Sequence, residues 1–132
     1  IPISRPEDLK HHDLIPMNVI KNYQYLSFQH VVTSEDISLE MRSRLTSNNV
    51  LVAKALCQQG HGIARILYLD AQKDLINGAL VEVLPEWKLP SFTLYAIISK
   101  HEQQPMKIHR CLEALKQYFC QLPGGRNYQE AS

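Results

Sequence analysis

Apolar and polar residues alternate with a period of two over residues 37–45, the clearest strand pattern in the chain. One face of this pattern is apolar and the other polar: the first carries Ile37, Leu39, Met41 and Leu45, and the second carries Ser38, Glu40, Arg42 and Arg44. Side chains of a strand point alternately to opposite sides, so the pattern predicts a strand with one buried and one solvated face. The two arginines form either an anion site or part of the solvated face.

A helix is predicted over residues 49–59, which are apolar around most of the helical circumference. A helix with so wide an apolar surface should be buried on more than one side. Its first turn needs an oxygen acceptor for free backbone N–H groups, and either Ser47 or Asn48 can supply one. Gly60 should end the helix as the residue just beyond its last turn.

The remaining elements have shorter or less regular patterns. They are a short helix over 6–11, strands over 13–17 and 62–66, an irregular strand-like segment over 21–33, a helix over 68–77, strands over 79–84 and 92–98, and an amphipathic helix over 105–119. The alternation of strands and helices between residues 37 and 98 is typical of an α/β fold with a largely parallel or mixed sheet.

Composition narrows the class of protein. With 132 residues, 45% hydrophobic and 20% charged, the chain has the composition of one globular domain or two small lobes. A net charge of +1 argues against nucleic-acid binding by this chain itself. No apolar run approaches the roughly 18 residues of a membrane span. The chain begins with Ile1-Pro2-Ile3, without Met or a signal sequence, which we interpret as a piece of a longer protein.

Candidate chemistry is sparse. The spacing of Cys57, Cys111 and Cys120 fits neither a disulfide framework nor a zinc motif, so we expect reduced, mostly buried thiols. The six histidines are scattered without acidic or cysteine partners at ligand spacing. We therefore predict no metal and no cofactor. No grouping of nucleophile, base and acid is apparent, and we predict that the chain is not an enzyme.

Four segments in this order resemble one protein family. They are RPEDL (5–9) followed by His12-Asp13, RLTSN (44–48) leading into the helix 49–59, GHGIA (60–64), and GALVEVLPEW (78–87) followed by the strand with Leu94-Tyr95-Ala96. Together they resemble the effector-binding domain of LysR-type transcriptional regulators. The resemblance runs from about residue 5 to residue 119.

The resemblance implies an α/β fold of the type 2 periplasmic-binding-protein class, in which a small molecule lies between two lobes. Residues 1–86 would form most of the second lobe, with a mixed sheet flanked by helices. Residues 87–120 would be a crossover strand and a helix of the mostly absent first lobe, followed by a disordered tail over 121–132. Without its usual neighbours, helix 105–119 should dock on this lobe, pack on another copy or be poorly ordered.

Two candidate binding sites follow. The start of helix 49–59 attracts an anion through its dipole and hydroxyl donors, or is a plain helix cap. The family's effector pockets use this helix start, which favours Thr46, Ser47 and Asn48 as ligand residues. Arg65 would pair with a carboxylate or would be a solvated charge at a strand end.

A dimer interface is implied by the resemblance as well. In the family, the helix corresponding to 49–59 packs against a first-lobe helix of the partner subunit. The residues expected at this interface are Leu51, Lys54, Ala55 and Gln58. The alternative is ordinary burial of this helix by a neighbouring segment of the same chain.

The resemblance implies an effector-sensing and dimerising portion of a bacterial DNA-binding transcription regulator. Its partners would be a small-molecule effector of the carboxylate class and further subunits of a homodimer or tetramer. DNA would be bound through an N-terminal domain missing here, the location would be cytoplasmic, and no membrane would be involved. The alternative is a periplasmic solute-binding protein of a transporter.

Overall fold

The computed structural model describes residues 2–19, 21–100, 105–122 and 125. After a 3₁₀ helix at Pro6–His11, the elements in chain order are β1 (Leu14–Ile15), β2 (Tyr25–His30), β3 (Asp36–Glu40), α1 (Val50–Gln58), β4 (Ile63–Ala64), α2 (Tyr68–Ile76), β5 (Trp87–Lys88) and α3 (Met106–Gln121). The chain divides into two compact units, a first unit of Ile1–Ser91 and a second of Phe92–Ser132.

The core of the first unit lies on an antiparallel sheet with the strand order β3-β2-β5. Phe28 pairs with Ile37 across β2 and β3, and Phe28 and Leu39 belong to the buried cluster. The opposite face is polar, and there Gln29 donates a 3.1 Å hydrogen bond to Asp36. The predicted apolar face is confirmed as far as Met41, which is buried. Leu45 is exposed because the strand ends at Glu40.

A second, parallel sheet consists of β1 and β4. Ile15 pairs with Ala64, and beyond β1 an isolated parallel bridge joins Met17 to Ser47. The helix α1 connects the segment that ends at Ser47 to β4. The predicted α/β class is thus confirmed, with parallel and antiparallel pairing in two separate sheets rather than in one.

Two predicted strands are absent from the structure, over 79–84 and over 92–98. At 79–84 the reason is local: the backbone N–H of Ala79 donates to the side chain of Asn77, and that of Leu80 donates to the carbonyl of Asp74. The end of α2 therefore occupies two backbone N–H groups that a strand over 79–84 could have donated to a neighbouring strand. The apolar run over 92–98 predicts burial, but it does not identify a strand with which the segment would pair. In the structure the side chains of this segment are exposed.

The start of α1 differs from the prediction by one residue. Asn49, rather than Ser47 or Asn48, is the capping residue, and its Oδ1 accepts a 2.8 Å hydrogen bond from the N–H of Leu51. Gly60 ends the helix as predicted, at φ +78°, with its N–H donating to the carbonyl of Cys57. The expected burial on several sides is wrong, because only Ala53 of this helix is buried.

The short helix predicted over 6–11 is present as a 3₁₀ helix, and a side chain of its first turn caps its N terminus. The Asp8 carboxylate accepts hydrogen bonds of 2.9 Å from the backbone N–H groups of both Ser4 and Arg5. These bonds favour the ionised form, and they hold the pKa of Asp8 below its ordinary value.

The second unit contains α3, which confirms the helix predicted over 105–119. None of its residues is buried, although its apolar residues recur at spacings of three and four. Most of the tail predicted over 121–132 lies outside the described residues. Among the described residues, no helix is long and apolar enough to cross a membrane.

Candidate functional site

The two predicted binding groups lie on opposite sides of β1, towards its carboxyl end. On one edge, Ser47 donates its backbone N–H to Pro16 and accepts the N–H of Asn18, at 3.1 and 3.0 Å. On the other edge, Ile63 donates its N–H to Asp13 at 2.9 Å. Asp13 precedes β1 and Pro16 and Asn18 follow it, and their backbone groups point to alternate sides of this segment, so Ser47 and β4 flank it on opposite sides. The start of α1 and the residue after β4, Arg65, therefore lie at one end of the parallel sheet, where ligands of α/β proteins bind.

At the start of α1, the three predicted ligand residues differ in what their side chains do. Ser47 is buried, and its hydroxyl donates to the carbonyl of Asn49 at 2.8 Å and accepts from the N–H of the same residue at 3.0 Å. Thr46 and Asn48 are exposed. Ser47 thus shapes the turn, and Thr46 and Asn48 present polar groups to solvent. No acidic residue lies in the first turn of α1 to offset its dipole.

Arg65 is half-buried, and its guanidinium donates a 3.1 Å hydrogen bond to the carbonyl of Pro90. Burial lowers the pKa of this guanidinium from its ordinary value, since desolvation disfavours the charged form. A charge removed from water is stabilised by an anion placed beside it. Arg65 is therefore not a fully solvated charge, and its pairing with a carboxylate stays a prediction.

Arg65 also lines a cavity of about 680 Å³ within the first unit. The walls are mainly apolar and come from β1, β2, β4, α2 and the segment 79–89. Thr46, Ser47 and Asn48 do not line this cavity. Sequence reasoning missed it, because the apolar residues over 79–84 were assigned to a strand.

On α1, two of the four predicted interface residues are engaged within the chain. The ammonium of Lys54 lies 2.9 Å from the Asp74 carboxylate of α2, and Gln58 donates to the same carboxylate at 3.0 Å. Leu51 and Ala55 are exposed, with Leu51 at 64%. The exposed apolar positions of the predicted interface are thus Leu51 and Ala55.

The cysteines depart from the prediction of mostly buried thiols. All three are free, but Cys57 and Cys120 are only half-buried and Cys111 is exposed. Burial raises the pKa of the Cys57 thiol above its ordinary value, since desolvation disfavours the thiolate. In the described part of the chain, no group of three His, Cys, Asp or Glu side chains could hold a metal ion.

Comparison with known proteins gives one family model and several relatives. The model described as LysR substrate binding domain matches residues 2–120. The transcriptional regulator PtxR of Pseudomonas aeruginosa is 25% identical over 122 residues, which cover 92% of this chain and 38% of PtxR. The transcriptional activator AaeR of Escherichia coli is 22% identical, over 96% of this chain and 40% of AaeR. The chain thus spans at most about two-fifths of these relatives.

Solved structures resemble the fold as well. Full-length AphB, a virulence activator of Vibrio cholerae, matches with a TM-score of 0.60 and 21% identity, over 67% of this chain and 30% of AphB. The regulatory domain of AphB from Vibrio vulnificus matches with a TM-score of 0.57 and 24% identity, over 66% of this chain and 43% of that domain. At these identities the likeness concerns the fold alone.

Proposed function

Since the family model covers residues 2–120, the chain belongs to the LysR substrate binding domain family, and we propose that it senses a small-molecule effector for a DNA-binding transcription regulator. The family assigned from the sequence is thereby confirmed. The named relatives are transcription regulators, which supports this role and does not support the transporter alternative. Regulators of this kind act by binding, so we propose no catalytic role.

The arrangement at the carboxyl end of β1 supports effector binding most directly. The start of α1 supplies a positive dipole end and the polar groups of Thr46 and Asn48, with Ser47 holding the turn. Arg65 supplies a partly desolvated positive charge at the same end of the sheet. Both features favour an anion, and a small carboxylate fits the planar fork of a guanidinium.

In the proposed mechanism, the effector binds one arrangement of the parent protein more tightly than another. Only such a difference in affinity shifts a conformational equilibrium. Residues 1–86 would be most of the second lobe, and residues 87–120 would return to the first lobe. The parent would be a cytoplasmic homodimer or tetramer that binds DNA through an N-terminal domain.

Carboxylate binding by the full-length parent tests this proposal. We expect acetate, succinate or benzoate at saturation to raise the thermal unfolding midpoint, because a ligand that binds only the folded state stabilises it. The Arg65→Gln variant should lose most of that shift. Arg110→Gln removes an exposed arginine from α3 and should retain it. If no organic acid raises the midpoint, or if Arg65→Gln shifts as much as the wild type, the carboxylate proposal is wrong.

Dimerisation through α1 is a separate part of the proposal. We expect Leu51→Asp in the full-length parent to weaken self-association by at least about tenfold, because a charge would replace an exposed apolar contact. Sedimentation velocity over a concentration series measures this change. Val52→Asp places the same charge on a different face of α1, also at an exposed position, and should have a smaller effect. An unchanged dimer in Leu51→Asp would refute the α1 interface.

A further inference from the structure

The carboxylate of Asp74 on α2 contacts α1 at two points that lie one helical turn apart. Its Oδ2 lies 2.9 Å from the ammonium of Lys54, and its Oδ1 accepts a 3.0 Å hydrogen bond from the side-chain amide of Gln58. The Lys54 ammonium also donates to the backbone carbonyl of Asp70 at 3.2 Å. These contacts, called the α1–α2 bridge below, join two residues of one helix to two residues of the other.

The ion pair of the α1–α2 bridge is largely shielded from water. The side chains of Lys54 and Asp74 are 23% and 15% exposed. Salt and water screen such a pair less than they screen a solvent-exposed one, so it is stronger than most surface ion pairs. The α2 end of the bridge is held as well, because the backbone carbonyl of Asp74 accepts the N–H of Leu80 from the segment after α2. Asp74 therefore gives α1 a fixed point of attachment on α2.

Little apolar burial fixes the rotation of α1 about its own axis. Of its nine residues only Ala53 is buried, and an alanine side chain makes few contacts. Leu51 and Ala55 form one exposed row along the helix. The bridge residues Lys54 and Gln58 form a second row, about 60° around the axis from the first. A rotation of α1 that broke the bridge would therefore also displace the exposed apolar row.

We infer that Asp74 is a positioning residue for self-association: through the α1–α2 bridge it holds the rotation of α1 that presents Leu51 and Ala55 to a second subunit. This role of Asp74 rests on the proposed α1 interface, and it makes Lys54 and Gln58 supports of that interface rather than contacts with the partner. When only part of a protein population is in the binding-competent arrangement, the apparent affinity falls in proportion. Loss of the bridge should therefore weaken association without removing a residue that contacts the partner.

Sedimentation velocity of the full-length parent over a concentration series tests this role. Asp74→Asn removes the charge with little change of shape, and we expect it to raise the dimer dissociation constant at least about fivefold. Asp70→Asn is the matched control, because it removes a carboxylate one turn earlier on α2 and leaves the backbone carbonyl that Lys54 uses. It should change the dissociation constant less than about twofold. All variants are compared at a temperature at which circular dichroism shows the helix content of the wild type.

A double-mutant cycle distinguishes support of the interface from direct contact with the partner. Lys54→Met keeps a long side chain without its charge, and by itself it should weaken association about as much as Asp74→Asn does. In the variant with both substitutions we expect no further loss, because each of them breaks the same ion pair. If the two losses of association free energy add, Lys54 acts independently of Asp74, and the positioning role is wrong.

The outcomes separate the positioning role from the proposed interface. If Leu51→Asp weakens association and Asp74→Asn does not, α1 forms the interface without help from the bridge, and only the positioning role is overturned. If neither substitution has an effect, the α1 interface and the positioning role both fail. Equal weakening by Asp74→Asn and Asp70→Asn would indicate a general effect of charge on α2, which would also overturn the positioning role.

Discussion

Replacing Gly62 by alanine is expected to destabilise the first unit by roughly 3 kcal/mol. Gly62 has a φ of +153°, in a region that side-chain-bearing residues rarely adopt. A Cβ at this position would lie 2.5 Å from the carbonyl oxygen of Asp13. That oxygen accepts the N–H of Ile63 where β1 and β4 pair, so it cannot move without loosening the parallel sheet. Urea unfolding monitored by circular dichroism measures the loss.

Gly60 provides the matched control for this substitution. It also has a positive φ, of +78°, but a Cβ there meets nothing within 4 Å. Gly60→Ala should therefore cost only about 1 kcal/mol, from left-handed backbone strain alone. Equal losses in the two variants would show that the close approach to Asp13 has no energetic importance. Because Arg65 follows β4 directly, we also expect Gly62→Ala to weaken carboxylate binding more than Gly60→Ala does.

Phe28→Ala is expected to cost about 3–5 kcal/mol of unfolding free energy. Phe28 is 6% exposed, and it packs in the buried cluster at the centre of the three-stranded sheet. Its removal takes a large apolar surface out of the core and leaves space that neighbouring side chains fill only in part. A loss of this size is comparable to the total stability of many domains, so the thermal midpoint is the practical measurement.

Tyr25→Ala is the control for the loss of an aromatic ring. Tyr25 lies on the same strand but on the solvated face, with 56% of its surface exposed. We expect its removal to cost less than about 1 kcal/mol. If Phe28→Ala were no more destabilising than Tyr25→Ala, the assignment of the core to the inner face of this sheet would be wrong.

The elements that the sequence predicts well are those whose pattern is complete within a few residues. The helices at Pro6–His11, Val50–Gln58, Tyr68–Ile76 and Met106–Gln121 all follow from local spacing, turn residues and proline positions. The sequence does not single out the cap of α1, because Ser47, Asn48 and Asn49 are all capable acceptors, and only the backbone geometry selects Asn49.

The features that the sequence does not predict depend on residues far apart in the chain. Trp87–Lys88 pairs with residues of β2 that lie almost 60 positions earlier in the chain. A strand of two residues between two prolines is too short to show a periodic pattern in the sequence. The approach of Ser47 and Arg65 to one end of β1 depends equally on pairing with residues 13–18. In the sequence, only the family resemblance connects these two residues. The cavity arises where residues 79–84 fail to pair, which periodicity alone cannot foresee.

Strand β3 lies at an edge of its sheet, where backbone groups can template the addition of another chain. If two copies paired antiparallel about Ser38, Asp36 of each would stand opposite Glu40 of the other. Carboxylates directly opposite each other on neighbouring strands repel. In this register the facing carboxylates therefore disfavour the addition of a second copy at the β3 edge.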